Sequence, residues 1–465
     1  MNGIVMLLPE LFQLLIVIIL FLVALGKEKR EFSWLPFLTG AGVVVAAVSL
    51  FNSGIMFYGT YKIDMLSQFF KLLIAIGFFI VSLLHLKGID ENRHADYLLL
   101  ISISVLGLML LSSSVELITI YISLEIASYA LYAIVPLRAE SKEAAEAGIK
   151  YILFSAVMTA VSLYGLSFIY ADAHTTMLSQ FKNIGWTLSA HPMATFGITL
   201  FLIGFLFKLA LFPFHFWAPD VYQGMANETA AYATTLPKLG TIVVLIRLLG
   251  AVYPSAAIAS VLAVFAALSM TFGNITALVQ DDVKRVLGYS SVAHAGYMTV
   301  ALLIQTKEAL ANVAFYAAAY MFMNLLAFWV ICKLSDGKNL SFKDFSGLYK
   351  KAPILAFAIT IAAMGLIGLP PTGGFIGKFF LLTGAWGKGF DWLIIVAALN
   401  TAIAAYYYLK FIRFSYTEES TTEEKVKTSL IDSTVAIILA VIVLAIGIIP
   451  SPIYQIALKA TGILR

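Results

Sequence analysis

Five titratable residues lie in otherwise apolar sequence: Glu125, Lys208, Lys238, His294 and Lys378. A charged side chain at the centre of a membrane helix costs about 2.5–3.5 kcal/mol, so the three lysines and the glutamate would together cost about 12 kcal/mol if uncompensated. They must therefore face a protein interior, pair with one another, or touch water in a polar channel. Groups placed this way can hold and pass protons or ions; the alternative is a set of structural ion pairs. Glu125 sits near mid-depth of its segment. Glu116, nine residues earlier, points to the opposite face of the same helix and is expected to reach interfacial water. Lys71 is expected to snorkel towards an interface. His294, among small residues, is either a hydrogen-bonded core group or a proton carrier.

Two of the lysines adjoin helix breaks. Pro213 removes a backbone donor and frees the carbonyl of Leu209, beside Lys208. In Leu369-Pro370-Pro371-Thr372-Gly373-Gly374 the break frees the carbonyls of Leu366 and Ile367, ahead of Lys378. Unwound backbone at membrane depth is tolerated where protein buries it or water lines it, and broken helices beside ionisable groups build ion-transport sites. Lys238 follows Pro237 directly.

The elements that must carry these residues follow from composition. Of 465 residues, 61% are hydrophobic and 12% charged, against about 25% charged in a soluble domain. That composition specifies an all-α polytopic membrane protein. Apolar segments fall at about 9–26, 34–51, 65–86, 96–112, 115–135, 146–170, 194–212, 227–249, 256–279, 286–304, 310–333, 353–387, 391–414 and 431–449. These are fourteen expected transmembrane helices, the seventh and twelfth broken. The first, Leu11 to Leu25, exceeds a signal-peptide core and is expected to be permanent. One membrane domain over 1–465 is expected, with no soluble appendage: helices 1–3 in 1–95, helices 4–8 in 96–249, helices 9–13 in 256–414, and helix 14 with a tail in 431–465.

Loop charge orients the chain. Nineteen Lys and Arg residues fall on one side, in the groups Lys27 to Arg30, Lys87 and Arg93, Arg138 to Lys150, Lys284 and Arg285, Lys333 to Lys351, and Lys410 to Lys427; seven fall on the other, Arg247 among them. The positive-inside rule then puts both termini outside. Lys142, Glu143 and Glu146 read as a solvated helix start, the Glu418 to Lys427 run as a hydrated loop, and the Lys333 to Lys351 loop as an inner-surface or partner-facing segment. Tyr121, Ser123, Ala127 and Tyr129 match Tyr289, Ser291, Ala295 and Tyr297 at an offset of 168. Helices 4–8 and 9–13 would then be two five-helix repeats, inverted relative to each other because five is odd.

One cysteine, Cys332, six histidines and a net charge of +4 supply no disulfide framework, metal cluster or nucleic-acid surface. Gly377-Lys378 falls short of a phosphate loop: Thr372 stands where a glycine is needed and Phe379 where a Ser or Thr is needed. The chain carries no recognisable redox centre, so a gradient or partner subunits must supply energy.

Taken together, Leu124-Glu125, Ala147-Gly148-Ile149-Lys150-Tyr151, Phe207-Lys208-Leu209, Pro213-Phe214-His215, Trp217-Ala218-Pro219-Asp220-Val221-Tyr222, Pro237-Lys238, Lys284-Arg285-Val286-Leu287-Gly288-Tyr289-Ser290-Ser291 and Gly368 to Lys378 resemble the antiporter-like membrane subunits of respiratory complex I. Within them the Gly374 to Lys378 wording is most similar to the subunit N branch of bacterial proton-pumping NADH:quinone oxidoreductase. The resemblance implies a proton-translocating subunit of the inner cell membrane, beside other membrane subunits, with flavin, iron-sulfur clusters, NADH and quinone on partner chains and no cofactor here. It also implies a charge pair of Glu125 with Lys208, a central relay at Lys238, and outward exchange at Lys378. At 4 Å and an effective dielectric of 20 a carboxylate stabilises an ammonium by about 4 kcal/mol, so moving Glu125 would switch Lys208 between holding and releasing. A subunit of a multisubunit sodium/proton antiporter is the competing expectation, since such chains also carry that lysine. A scaffold with buried charges is the third.

Overall fold

The computed structural model describes residues 3–26, 32–138, 141–182, 184–252, 256–417 and 429–462. Lys27, Lys29, Arg30, Lys425, Lys427, Arg465 and the Glu418 to Lys427 loop lie outside them. A chain this apolar satisfies its backbone within its own segments, which favours helices. The first part comprises α1 (Gly3–Met6), α2 (Leu8–Ala24), α3 (Leu35–Val48), a short antiparallel hairpin of β1 (Gly54–Met56) and β2 (Tyr61–Ile63), and α4 (Met65–Ser82). Then come α5 (His94–Ser113), α6 (Leu117–Ile134), α7 (Lys142–Ala173), α8 (Leu178–Phe181), α9 (Pro192–Leu209), α10 (Trp217–Gly224), α11 (Asn227–Ala233) and α12 (Leu236–Val252). The remainder is α13 (Ala256–Leu278), α14 (Val283–Leu302), α15 (Lys307–Ser335), α16 (Leu348–Lys351), α17 (Pro353–Ile367), α18 (Gly373–Ala385), α19 (Asp391–Tyr416), α20 (Leu430–Ile448) and α21 (Ser451–Thr461).

Among the described residues, ten helical segments are long and apolar enough to cross a bilayer on their own. α15 is the axis of the second half, with its whole apolar window buried, whereas α7 buries only 28% of its window and presents Leu153, Val157 and Tyr164 outward. Close helix contact uses small residues. A Cβ on Gly165 of α7 would meet the Gly197 carbonyl of α9 at 2.5 Å, and one on Gly197 would meet the Gly165 carbonyl at 2.6 Å.

Several expectations need correction. The eighth segment is interrupted as well as the seventh and twelfth. The Thr234 and Thr235 hydroxyls donate to the carbonyls of Ala230 and Ala231 at 2.7 and 2.6 Å, and Pro237 has no N–H for the Ala233 carbonyl. The segment after α20 is an eleven-residue helix, α21. Lys71 does not snorkel: it is fully buried, with its ammonium 2.5 Å from Glu10. Arg247 is not a loop residue; it lies within α12 and makes two bonds to the Asp64 carboxylate, at 2.7 and 3.0 Å. Glu116 is buried and caps α6, accepting from the Ile118 and Thr119 amides.

Candidate functional site

The first break places Lys208 on the last turn of α9. Ala210 takes a left-handed conformation there (φ 60°), and the buried carbonyl of Phe207 accepts from the Ala210 amide at 2.9 Å and the Trp217 indole at 3.0 Å. The Lys208 ammonium is therefore free of the helix end. It donates to Tyr132 Oη and, at 3.0 Å, to Ser155 Oγ, two hydroxyls that also bond to each other. The Tyr132 ring centroid lies 4.8 Å from it. Glu125 on α6 accepts from Thr159 Oγ1 at 3.1 Å. Glu125 and Lys208 line one cavity of about 10 Å³ with Tyr121 and Thr159, room for about one water, but their hydrogen bonds go to hydroxyls and not to each other.

The second break is finished differently. Gly368 closes α17 in a left-handed conformation (φ 90°), and the Lys378 ammonium reaches back from α18 to the carbonyls of Leu366 and Ile367, at 3.2 and 2.8 Å. A cation on the last carbonyls of a helix satisfies orphan acceptors and meets the negative end of the dipole. The halves approach so closely that a Cβ on Gly374 would fall 1.8 Å from the Gly365 carbonyl.

Between the breaks lies a chain of rings. Lys238 donates to the Ser291 carbonyl at 3.0 Å and lies 5.7 Å from the Tyr320 ring. Tyr320 is 5.1 Å from His294, His294 is 6.1 Å from Tyr297, and Tyr297 is 4.5 Å from the Lys378 ammonium. His294 is no isolated core histidine: Nδ1 shares a hydrogen bond with Tyr316 Oη at 2.6 Å, and Nε2 one with Tyr408 Oη at 3.2 Å. Lys238, His294 and Lys378 are thus brought together, and Glu125 and Lys208 form a separate group.

Other charged groups escaped the sequence reading. Glu10, Tyr61 and Lys71 form one buried cluster, with Tyr61 donating to Glu10 at 2.5 Å. Glu228 and Lys284 are buried although both stand near the ends of their apolar segments. Asp220, quoted above only as part of a motif, ties three helices together through Lys150 at 3.0 Å and Arg285 at 2.6 Å. Partial burial alone would raise the Asp220 carboxyl, but the bonds from Arg285 and Lys150 outweigh it and hold the group below the ordinary carboxylate range. The available signal was a Pro-Asp step and an adjacent Lys-Arg pair; nothing in spacing joins residues 65 apart.

Residues 114–404 match the family described as NADH:quinone oxidoreductase/Mrp antiporter, TM. A relative from Solidesulfovibrio magneticus named NADH-quinone oxidoreductase subunit N 2 is 51% identical over 98% of both chains. The chain belongs to this antiporter-like family, in its subunit N branch. Among solved structures, a chain of respiratory complex I from Thermus thermophilus with bound aureothin shares 28% identity at a TM-score of 0.83, over 96% of this chain and 98% of that one. A chain of the Mrp complex from Dietzia shares the fold, with a TM-score of 0.88 at 17% identity over 100% and 98% of the two chains. Both neighbours support a helical, multi-pass membrane protein.

Within this antiporter-like fold the buried lysines fall into two kinds. Among the described residues Lys71, Lys208, Lys238, Lys284 and Lys378 are buried, and of these only Lys71 has a carboxylate within 4.0 Å. The other four hold their ammonium groups against hydroxyls, carbonyls or tyrosine rings. No group of three or more His, Cys, Asp or Glu able to hold a metal occurs among the described residues.

Proposed function

We propose that the chain is a proton-translocating membrane subunit of a redox-driven NADH:quinone oxidoreductase, moving protons through Glu125, Lys208, Lys238, His294 and Lys378. One observation carries this reading: lysines buried at bilayer depth without a carboxylate partner, linked by histidine and tyrosine. A tight ion pair fixes the charge of both members. A lysine held only by hydroxyls and rings keeps its two protonation states closer in energy, because burial disfavours the ammonium and nothing anionic restores it. Such a group takes up and gives up a proton as its surroundings change. Lys208 is the member that Glu125 modulates across their shared cavity, Lys238 and His294 are the central relay, and Lys378 exchanges protons beyond the second break.

Neighbouring membrane subunits are the partners in this reading, and flavin, iron-sulfur clusters, NADH and quinone belong to other chains of the complex. Fourteen spans with both termini outside agree with the basic loops. Two inverted five-helix units agree with the paired breaks and with two like crossings: a Cβ on Gly107 would meet the Ala127 amide at 2.5 Å, and one on Gly273 the Ala293 amide at 2.8 Å. The test is proton uptake driven by NADH and quinone in liposomes holding the whole complex. Glu125→Gln, Lys208→Ala and Lys378→Ala should each lower protons moved per electron pair while electron transfer persists; wild-type yields from all three would end the proposal. A sodium/proton antiporter subunit would instead move protons against an imposed sodium gradient without NADH.

A further inference from the structure

Resting on the proton-translocating reading, we infer that Glu228 is the proton-collecting residue of an inlet on the basic side of the chain, feeding Lys238 along the inner half of α14.

The position of Glu228 is unusual. It sits on α11, the first half of the interrupted eighth segment, and is fully buried. One carboxylate oxygen accepts from the Gly88 amide at 3.4 Å, the Lys87 and Glu228 amides lie nearby, and Oε2 makes no hydrogen bond of its own. A buried acceptor left this way is costly unless water completes it. The backbone of Gly88 lies over it. A Cβ on Gly88 would come within 3.0 Å of Glu228 Oε2, and the next residue, Lys87, is exposed and paired at 2.7 Å with exposed Asp336. The Asn227 amide ties the second covering loop by donating to the Lys338 carbonyl at 2.9 Å. Every loop over Glu228 belongs to the side that carries nineteen of the thirty Lys and Arg residues, the side from which a pump takes up protons under the positive-inside rule.

The electrostatic surroundings suit a group that collects protons and hands them on. The charged and titratable groups facing Glu228 are Lys284 of α14, Arg138 after α6, Tyr97 of α5 and Cys332 of α15. The Lys284 ammonium donates to the Met225 carbonyl at 2.5 Å and makes no ion pair with the carboxylate. Glu228 therefore has cations near enough to attract it and none close enough to lock it.

From Glu228 a line of polar atoms leads inward. Lys284, Gly288 and Ser291 are spaced four and three along α14, one face of a helix, and cover about 10 Å at 1.5 Å per residue. Lys284 stands beside Glu228. Gly288 packs against Tyr222, whose ring would lie 3.3 Å from a Cβ there. Ser291 lies beside the hydroxyls of Tyr222 and Tyr320 and supplies the carbonyl that holds Lys238. Tyr222 Oη is buried without a partner, as are Asn227 Oδ1 and Glu228 Oε2. Orphaned polar atoms thus mark the two ends of the stretch from the basic side to Lys238. In each cycle a proton from water on that side binds Glu228. The carboxylic acid gives it up through hydrated Tyr222 and Ser291 to neutral Lys238, and the carboxylate is regenerated.

The experiment uses the purified complex in liposomes, reading protons moved per electron pair and NADH:quinone turnover. Glu228→Gln keeps the shape and the bond from Gly88 but cannot take a proton; it should lower the yield as far as Lys238→Met does, and Glu228→Asp should restore at least half of the loss. Tyr222→Phe deletes only a hydroxyl, whose neighbour is Ser291, and, with subunit level checked by immunoblot, should lose at least half of the share of the yield that Lys238→Met loses. A wild-type yield from Glu228→Gln beside a lowered yield from Lys238→Met would overturn the inlet and leave the parent reading standing. Wild-type yields from both would overturn the parent reading and the inlet with it.

Discussion

Replacing Lys378 separates its contact with a helix end from the proton-carrying role proposed for it. In Lys378→Met the carbonyls of Leu366 and Ile367 lose the one side-chain donor they have among the described residues. Each orphaned buried acceptor costs about 1–3 kcal/mol, and the contact with the Tyr297 ring at 4.5 Å adds about 2 kcal/mol. Removing a buried charge returns about 3 kcal/mol, so the net loss should be about 1–5 kcal/mol. In Lys378→Arg a permanent cation with several donors remains near the same carbonyls, and stability should stay within about 1 kcal/mol of wild type. The guanidinium cannot release a proton near neutral pH, so pumping should fall as far as in Lys378→Met. The assays are thermal inactivation of the detergent-purified complex, followed by immunoblot of this subunit, and proton uptake in liposomes. Wild-type pumping by Lys378→Arg would refute the proton-carrying role; unchanged stability of Lys378→Met would refute the helix-end role.

Three further outcomes are expected. Lys71→Met strands the Glu10 carboxylate and should destabilise by about 3–5 kcal/mol, while Glu10→Leu with Lys71→Met should recover to within about 1 kcal/mol and pump normally, as thermal inactivation and proton yield would show. Gly374→Ala puts a methyl 1.8 Å from the Gly365 carbonyl and should prevent stable accumulation of the subunit, measured by immunoblot of membranes. Asp220 has a depressed native pKa, so its contribution is present above the ordinary aspartate value, about 3.9, and is lost as pH falls through the lower native value. Thermal stability should therefore fall more steeply below pH 4 in wild type than in Asp220→Asn, and parallel curves would refute the role of its ties.

Much of the architecture was legible because lipid leaves few choices: apolar runs of membrane length become helices, and prolines without N–H groups end them. The freed carbonyls of Leu366 and Ile367 could be named from Pro370 and Pro371, although their acceptance from Lys378 could not. What stayed hidden was pairing across the fold. Lys71 looked amphipathic because Glu10, 61 residues away, gives no local signal, and Arg247 looked like a loop charge because its partner Asp64 is 183 residues away. Lys284 was passed over because it borders charged sequence, where exposure is the ordinary outcome, and Glu228 because it stands alone at the start of a segment, where a carboxylate ordinarily faces water. The interruption at Thr234-Thr235 has the Thr235 hydroxyl at the Ala231 carbonyl while the Thr235 amide turns to Tyr232, a choice that propensity does not dictate.

The tyrosines that face the buried lysines also set a time scale. A carboxylate beside an ammonium, worth about 4 kcal/mol at an effective dielectric of 20, would lengthen the dwell of a proton about a thousandfold, at 1.4 kcal/mol per decade. A ring worth about 2 kcal/mol lengthens it about thirtyfold. In the proposed relay Lys238 and Lys378, which meet Tyr320 and Tyr297, are held by the weaker of these two partners, and the aromatic wall acts as a brake of limited strength.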